Sequence, residues 1–125
     1  MIVKNIGDCP AFVAGDGSIL RELLNPLKDG LDIRYSLAHA AVRPGRTTLA
    51  HRLRSAEVYY ILEGAGEMTV ESERAQVSAG QAVYVPPGSV QSIRNTGQAN
   101  LTFLCIVDPA WQPQDEAVIE TDVPR

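Results

Sequence analysis

Gly80-Gln81-Ala82-Val83-Tyr84-Val85-Pro86-Pro87-Gly88-Ser89-Val90-Gln91-Ser92-Ile93-Arg94-Asn95 carries the reading that decides the fold. Ala82–Val85 is a short β-rich run. Two prolines and a glycine stop it, and a second run begins at Ser89. Proline has no amide to give to a strand ladder, so Pro86-Pro87-Gly88 makes a rigid corner and ends pairing there. An earlier stretch is built alike: Gly45-Arg46-Thr47-Thr48-Leu49-Ala50-His51-Arg52-Leu53-Arg54-Ser55-Ala56-Glu57, running on to Gly64.

The rest of the chain has the same punctuation. Residues 31–42 have a period near two over their first half and stop at Arg43-Pro44-Gly45, a turn signal. Residues 57–71 form two β-rich runs around Gly64-Ala65-Gly66, which reads as a hairpin. Runs at 75–77, 82–85, 89–95 and 101–107 follow. Turns at Ser78-Ala79-Gly80, Pro86-Pro87-Gly88 and Asn95-Thr96-Gly97 separate them. Many short strands with regular turns imply an all-β sandwich or barrel. Ser18–Pro26 is ambiguous: its apolar residues have helical spacing and Ser18 is a possible cap. Residues 108–125 are rich in Pro, Asp and Glu and read as an extended tail, anchored by Trp111 on the outside of the barrel, with poorly ordered last residues.

A chain of 125 residues with 45% hydrophobic residues fits one soluble domain, 1–125. No apolar run is long enough to span a membrane, and the N-terminus does not read as a secretory signal. The net charge of −4, with Arg43, Arg46, Arg52 and Arg54 as the one local basic cluster, argues against nucleic acid as a partner. That cluster reads as a rim or contact feature. Cys9 and Cys105 have no metal-binding or redox spacing and read as free thiols of a cytoplasmic protein.

Strand alternation groups the chemical residues. His51 and Leu53 share a face, Glu57 shares one with Tyr59 and Ile61, and Gln91 with Ile93. Glu57 stands in an otherwise apolar run, Val58-Tyr59-Tyr60-Ile61-Leu62. A buried carboxylate needs a partner, either a cation or His51. The facing of His39 is open; pointed inward, it would add an imidazole from a neighbouring strand.

The two glycine-bounded stretches resemble the paired signatures of the cupin superfamily. The matches are the glycines (Gly45, Gly64, Gly80, Gly88), a proline of the Pro86-Pro87 pair, Asn95 and the spacings between them. The resemblance implies a double-stranded β-helix, or jelly-roll barrel, with its core at about 31–107 and the tail at 108–125. It also favours a strand over a helix at 18–26. In that fold the inward faces bring His51, Glu57 and Gln91 to one cavity, with Leu53 as an apolar wall. The family typically holds a transition metal with three His and one Glu. Here His51 and Glu57 match, while Leu53 and Gln91 stand where His is usual. The implied metal set is His51, Glu57 and, through its carbonyl oxygen, Gln91, around a divalent ion such as Mn, Fe, Ni or Zn. Tyr59 is expected to line the pocket as a substrate-binding or proton-donating residue. Leu53 and Gln91 are expected to contact substrate. The implied activity is binding, with or without transformation, of a small polar or carbonyl-containing molecule. The alternative is a non-catalytic ligand-binding module without metal. A homodimer formed through edge strands is the expected association.

Overall fold

Leu101, Phe103, Cys105 and Val107 are buried, and Thr102, Leu104 and Ile106 between them are only half-buried. One strand therefore presents one face to a core and the other outward. In the computed structural model, in which residues 1–119 are described, this strand lies inside a six-stranded antiparallel sheet. Its order is β1 (Phe12–Val13), β2 (Ile19–Leu24), β3 (Ser36–Val42), β10 (Leu101–Asp108), β5 (Ala56–Glu63) and β8 (Ala82–Val85). A five-stranded sheet faces it. That order is β11 (Glu116–Val118), β4 (His51–Leu53), β9 (Gln91–Asn95), β6 (Ala65–Val70) and β7 (Glu73–Ser78). The expected all-β, cupin-type double-stranded β-helix is the fold observed.

The core sits between the sheets. Ile61, Ile93 and Leu101 are fully enclosed, with Met68, Phe103, Val85 and Tyr59 packed among them. Each such aliphatic side chain stabilises the fold by about 1.5–3 kcal/mol relative to exposure. The Tyr59 and Phe103 rings stack with centroids 4.9 Å apart.

Several sequence expectations change. The hairpin expected at Gly64 is not one, because β5 and β6 belong to different sheets. Gly64 (φ +89°) is the crossing point, where a Cβ would lie 2.9 Å from the Asn100 carbonyl oxygen. A Cβ on Gly66 would lie 2.7 Å from the Arg94 carbonyl oxygen on the neighbouring β9 and 2.8 Å from Leu101 Cδ2 of the facing sheet, so glycine is what fits between them. The hairpin is instead β6–β7, closed across Val70 and Glu73. Residues 31–35 are not strand. They return the chain from β2 to β3 after a one-turn helix, α1 (Pro26–Asp29), capped by Asn25, whose Oδ1 accepts from Leu27 N at 3.0 Å. Residues 18–26 do contain a strand, β2, because pairing with β3 overrides the helical spacing.

The tail is less detached than expected. Glu116–Val118 pairs with β4 and extends the second sheet, so barrel strands lie both before residue 31 and after residue 107. The expectation about the last residues concerns 120–125, outside the described residues. Asn95, the final residue of the second signature, is an internal tie. Its side-chain nitrogen donates to the Val42 and Ala99 carbonyls, each at 2.8 Å, and its Oδ1 accepts from Gly97 N at 2.9 Å. Cys9 and Cys105 are both buried and free. Among the described residues no helix is long and apolar enough to cross a membrane.

Candidate functional site

Between the sheets lies a cavity of about 150 Å³. Leu53, Ala38, Ala40, Phe103 and Val107 give it apolar walls, and His51 and Glu57 face one another's surroundings within it. His51 comes from β4, where it pairs with Gln91 of β9. Glu57 comes from β5, between Val85 of β8 and Val107 of β10. Two residues six positions apart thus reach one space from opposite sheets. His51, Leu53, Glu57, Tyr59 and Gln91 are all buried.

The hydrogen bonds assign each group a state. His51 Nδ1 lies 3.0 Å from the Leu49 carbonyl oxygen. A carbonyl only accepts, so Nδ1 carries the proton. In the neutral ring this leaves the lone pair on Nε2. The nearest acid to that nitrogen is Asp16, whose Oδ2 is 3.9 Å away. Tyr59 donates its hydroxyl to Gln91 Oε1.

Glu57 is the exception to satisfied bonding. Its Oε1 is buried without a hydrogen-bond partner. Burial pushes its carboxyl up to about 7, helped by the Asp16 charge; His51 pulls the other way, as do the nearby Gln91 and Cys105 side chains. Neither of those two closes a hydrogen bond on Oε1. A carboxyl poised near 7 can both give and take a proton at neutral pH. Burial, and then the Glu57 charge, hold both the Tyr59 hydroxyl and the Cys105 thiol well above their usual values. Tyr59 is therefore a neutral hydroxyl whose proton is directed to Gln91 Oε1. Gln91 sits behind Tyr59 and is not among the residues lining the cavity. Its side chain is joined to the lining by the Tyr59 hydroxyl.

Other expected positions also resolve. His39 lies opposite Arg21 and Leu104, on the face of β3 away from Ala38 and Ala40, so it adds no imidazole to the cavity. Trp111 lines the cavity and does not pack on the outside of the barrel. Its amide donates to Ser36 Oγ at 2.9 Å, and its Nε1 donates to Glu116 Oε2 at 2.8 Å. Lys28 Nζ lies over its ring, 5.8 Å from the centroid.

Sequence reasoning missed Asp16. It belongs to the β1–β2 turn, which folds over the cavity: its carbonyl accepts from Leu49 N at 2.7 Å, and its Oδ1 accepts from Ser18 N and Oγ at 2.9 and 2.7 Å. The pair Asp16-Gly17 between short β runs was the available signal. Asp16, Glu22, Glu57 and Glu116 all line the cavity, and His51 is the one basic side chain among the lining residues.

The open atoms decide whether these residues fit a divalent ion. His51 Nε2 and the orphaned Glu57 Oε1 are a nitrogen and an oxygen donor in one cavity, and imidazole and carboxylate are donor types that suit a divalent ion. The Nδ1 bond to a backbone carbonyl is the usual way a ligating imidazole is held. Leu53 adds no donor. Among the described residues, no three His, Cys, Asp or Glu side chains group as an ion site. An ion held here would rest on the pair, with water or ligand atoms completing its shell.

Comparison with known proteins agrees with this architecture. The family model described as Cupin domain matches residues 38–107. An uncharacterized protein of Methanocaldococcus jannaschii is 40% identical over 111 residues, 87% of each chain. Among solved structures, the polyketide cyclase RemF of Streptomyces resistomycificus superposes with a TM-score of 0.80 at 21% identity, covering 98% of this chain and 87% of that one. A predicted oxalate decarboxylase of Thermotoga maritima gives 0.76 at 22% identity, covering 86% and 99%. At those identities the likeness is one of fold.

Proposed function

The chain belongs to the cupin domain family, and on that footing we propose that it binds a small polar molecule between its two sheets and exchanges a proton with it at Glu57. The observation that carries this reading is the partnerless Oε1 of Glu57, buried in a cavity it shares with His51. An unpaired buried polar atom costs about 1–3 kcal/mol. A ligand atom that bonds to it removes that cost, so the site is built to be filled.

The lining chooses the ligand. Four carboxyl side chains and one imidazole face the cavity, so a free dicarboxylate is repelled. A neutral molecule bearing a carbonyl or hydroxyl fits better. Its oxygen would meet the protonated form of Glu57, or its hydroxyl would be deprotonated by the ionised form. Leu53, Phe103 and Val107 exclude water around that exchange and strengthen it. Tyr59, fixed by Gln91 and stacked on Phe103, is a rigid floor.

A divalent ion held by His51 Nε2 and Glu57 Oε1 is the second part of the reading. When bound it would supply Lewis-acid polarisation of a ligand oxygen. The same orphaned oxygen favours it. Equilibrium dialysis against Mn(II) and Zn(II), with wild type, His51→Ala and Glu57→Gln, tests this part. Ion uptake lost in both variants supports it; uptake unchanged in both removes it. Ligand-observed NMR with neutral hydroxy-carbonyl compounds and with dicarboxylates tests the proposed ligand class. Preference for dicarboxylates in metal-free protein would refute it.

A further inference from the structure

A second depression lies on the outer side of the β1–β2 turn. It is an open groove of about 520 Å³, and Arg43 and Arg46 stand on its edge, with Ile19, Leu49 and Phe12 among its apolar lining. The two arginines flank the Pro44-Gly45 corner, and Arg46 N donates to the Arg43 carbonyl at 3.1 Å, which holds the corner closed. Both side chains are therefore carried on one tight turn. Among the described residues neither guanidinium has an acidic partner or a side-chain hydrogen bond. The other two arginines of the cluster, Arg52 and Arg54, are exposed and take no part in this groove.

We propose that this groove is a second site, distinct from the cavity between the sheets, which takes a small amphipathic anion: a phosphate or carboxylate group joined to an apolar body. Two guanidinium forks offer paired donors that suit the oxygens of either group. The apolar lining supplies a place for the body, which an inorganic ion cannot use. The one acid in the lining is Asp16. Its Oδ1 is bonded to Ser18 and its Oδ2 lies 3.9 Å from His51 Nε2, so both oxygens are directed to the inner side of the turn. The two sites thus divide by charge: the inner cavity is acidic, and the outer groove carries its positive charge on Arg43 and Arg46.

The test is calorimetric titration of the full chain with inorganic phosphate, phenyl phosphate, benzoate and phenol, together with backbone amide shifts. Phenyl phosphate and benzoate should each bind about tenfold or more tightly than phosphate or phenol, since each joins a charge-assisted contact to apolar burial. Their relative affinities tell phosphate from carboxylate as the favoured group. The shifts should centre on residues 43–49, and added salt should weaken binding. Arg43→Gln and Arg46→Gln, both exposed and harmless to the core, should each reduce affinity about tenfold. Glu57→Gln should leave it unchanged. Equal affinity for phenyl phosphate and phosphate, no loss in either arginine variant, or loss in Glu57→Gln with the arginine variants unaffected would each overturn the proposal. The last result would place the ligand in the inner cavity, so failure here is distinguishable from failure of the inner-site reading.

Discussion

Tyr59 donates its hydroxyl to Gln91 Oε1 across the two sheets, joining β5 to β9 over 32 residues of sequence. Both side chains are buried, so neither can replace its partner with bulk water. Removing one leaves the other unsatisfied, at a cost of about 1–3 kcal/mol. Tyr59→Phe and Gln91→Leu should each destabilise by that amount in urea. The double variant should lose less than the sum, because nothing polar is then stranded. An additive pair of losses would show that the bond contributes no coupling.

Gly64 is the point where the chain leaves one sheet for the other. Alanine there meets both a positive φ of +89° and the Asn100 carbonyl oxygen, which is backbone and cannot step aside. Gly64→Ala should cost about 2 kcal/mol or more. Gly80→Ala, at φ +90° but in open space, should cost less. Thermal melts of the two variants make the comparison, and equal losses would remove the role assigned to close approach.

How far the sequence was legible follows from the kind of signal each element carries. The corners at Gly45, Gly64, Gly80 and Gly88 are local chemistry, and all four have positive φ as turn residues should. The inward facing of His51, Glu57 and Tyr59 follows from a period of two, and it was readable for the same reason. The partners of those groups were not readable. That Gly64 separates sheets and does not close a hairpin depends on β10 pairing with β5 from nearly forty residues away. Asp16 reaches His51 only because the first turn folds back over β4's approach, and Trp111 lines the cavity only because β11 returns the tail to the sheet. Long-range pairing decided each of these, and no local pattern records it.

Leu53 occupies the position, two residues after His51 on the same face, where a second imidazole would enter the cavity. Leu53→His should therefore convert a two-donor site into a three-donor one. Affinity for Zn(II) should rise about tenfold or more, because three protein ligands are what tightly held sites of this kind provide. The apolar loss should cost stability, about 2 kcal/mol in metal-free protein, recovered when the ion is added. Dialysis and melts with and without Zn(II) read both effects. Unchanged affinity would mean that His51 and Glu57 do not form the base of an ion site.

Glu57 makes the stability of the metal-free protein depend on pH in a defined direction. Its carboxyl stands near 4.5 in the unfolded chain and is raised to about 7 by burial in the fold. Below pH 4.5 both states hold the proton. Between about 4.5 and 7 the folded state holds it and the unfolded state has released it, so each rise in pH favours unfolding. Above 7 the folded protein bears a buried, poorly satisfied charge, and stability on the order of 3 kcal/mol has been lost. Glu57→Gln keeps the shape and cannot ionise, so it should lack this component. Urea unfolding in chelator at pH 5 and pH 8.5 measures it. The wild type should fall relative to Glu57→Gln between those values, and the variant should be the more stable protein at pH 8.5. A wild type that gains on the variant as pH rises would mean that the carboxylate is stabilised as the charged form, and would remove Glu57 as the proton-exchanging group.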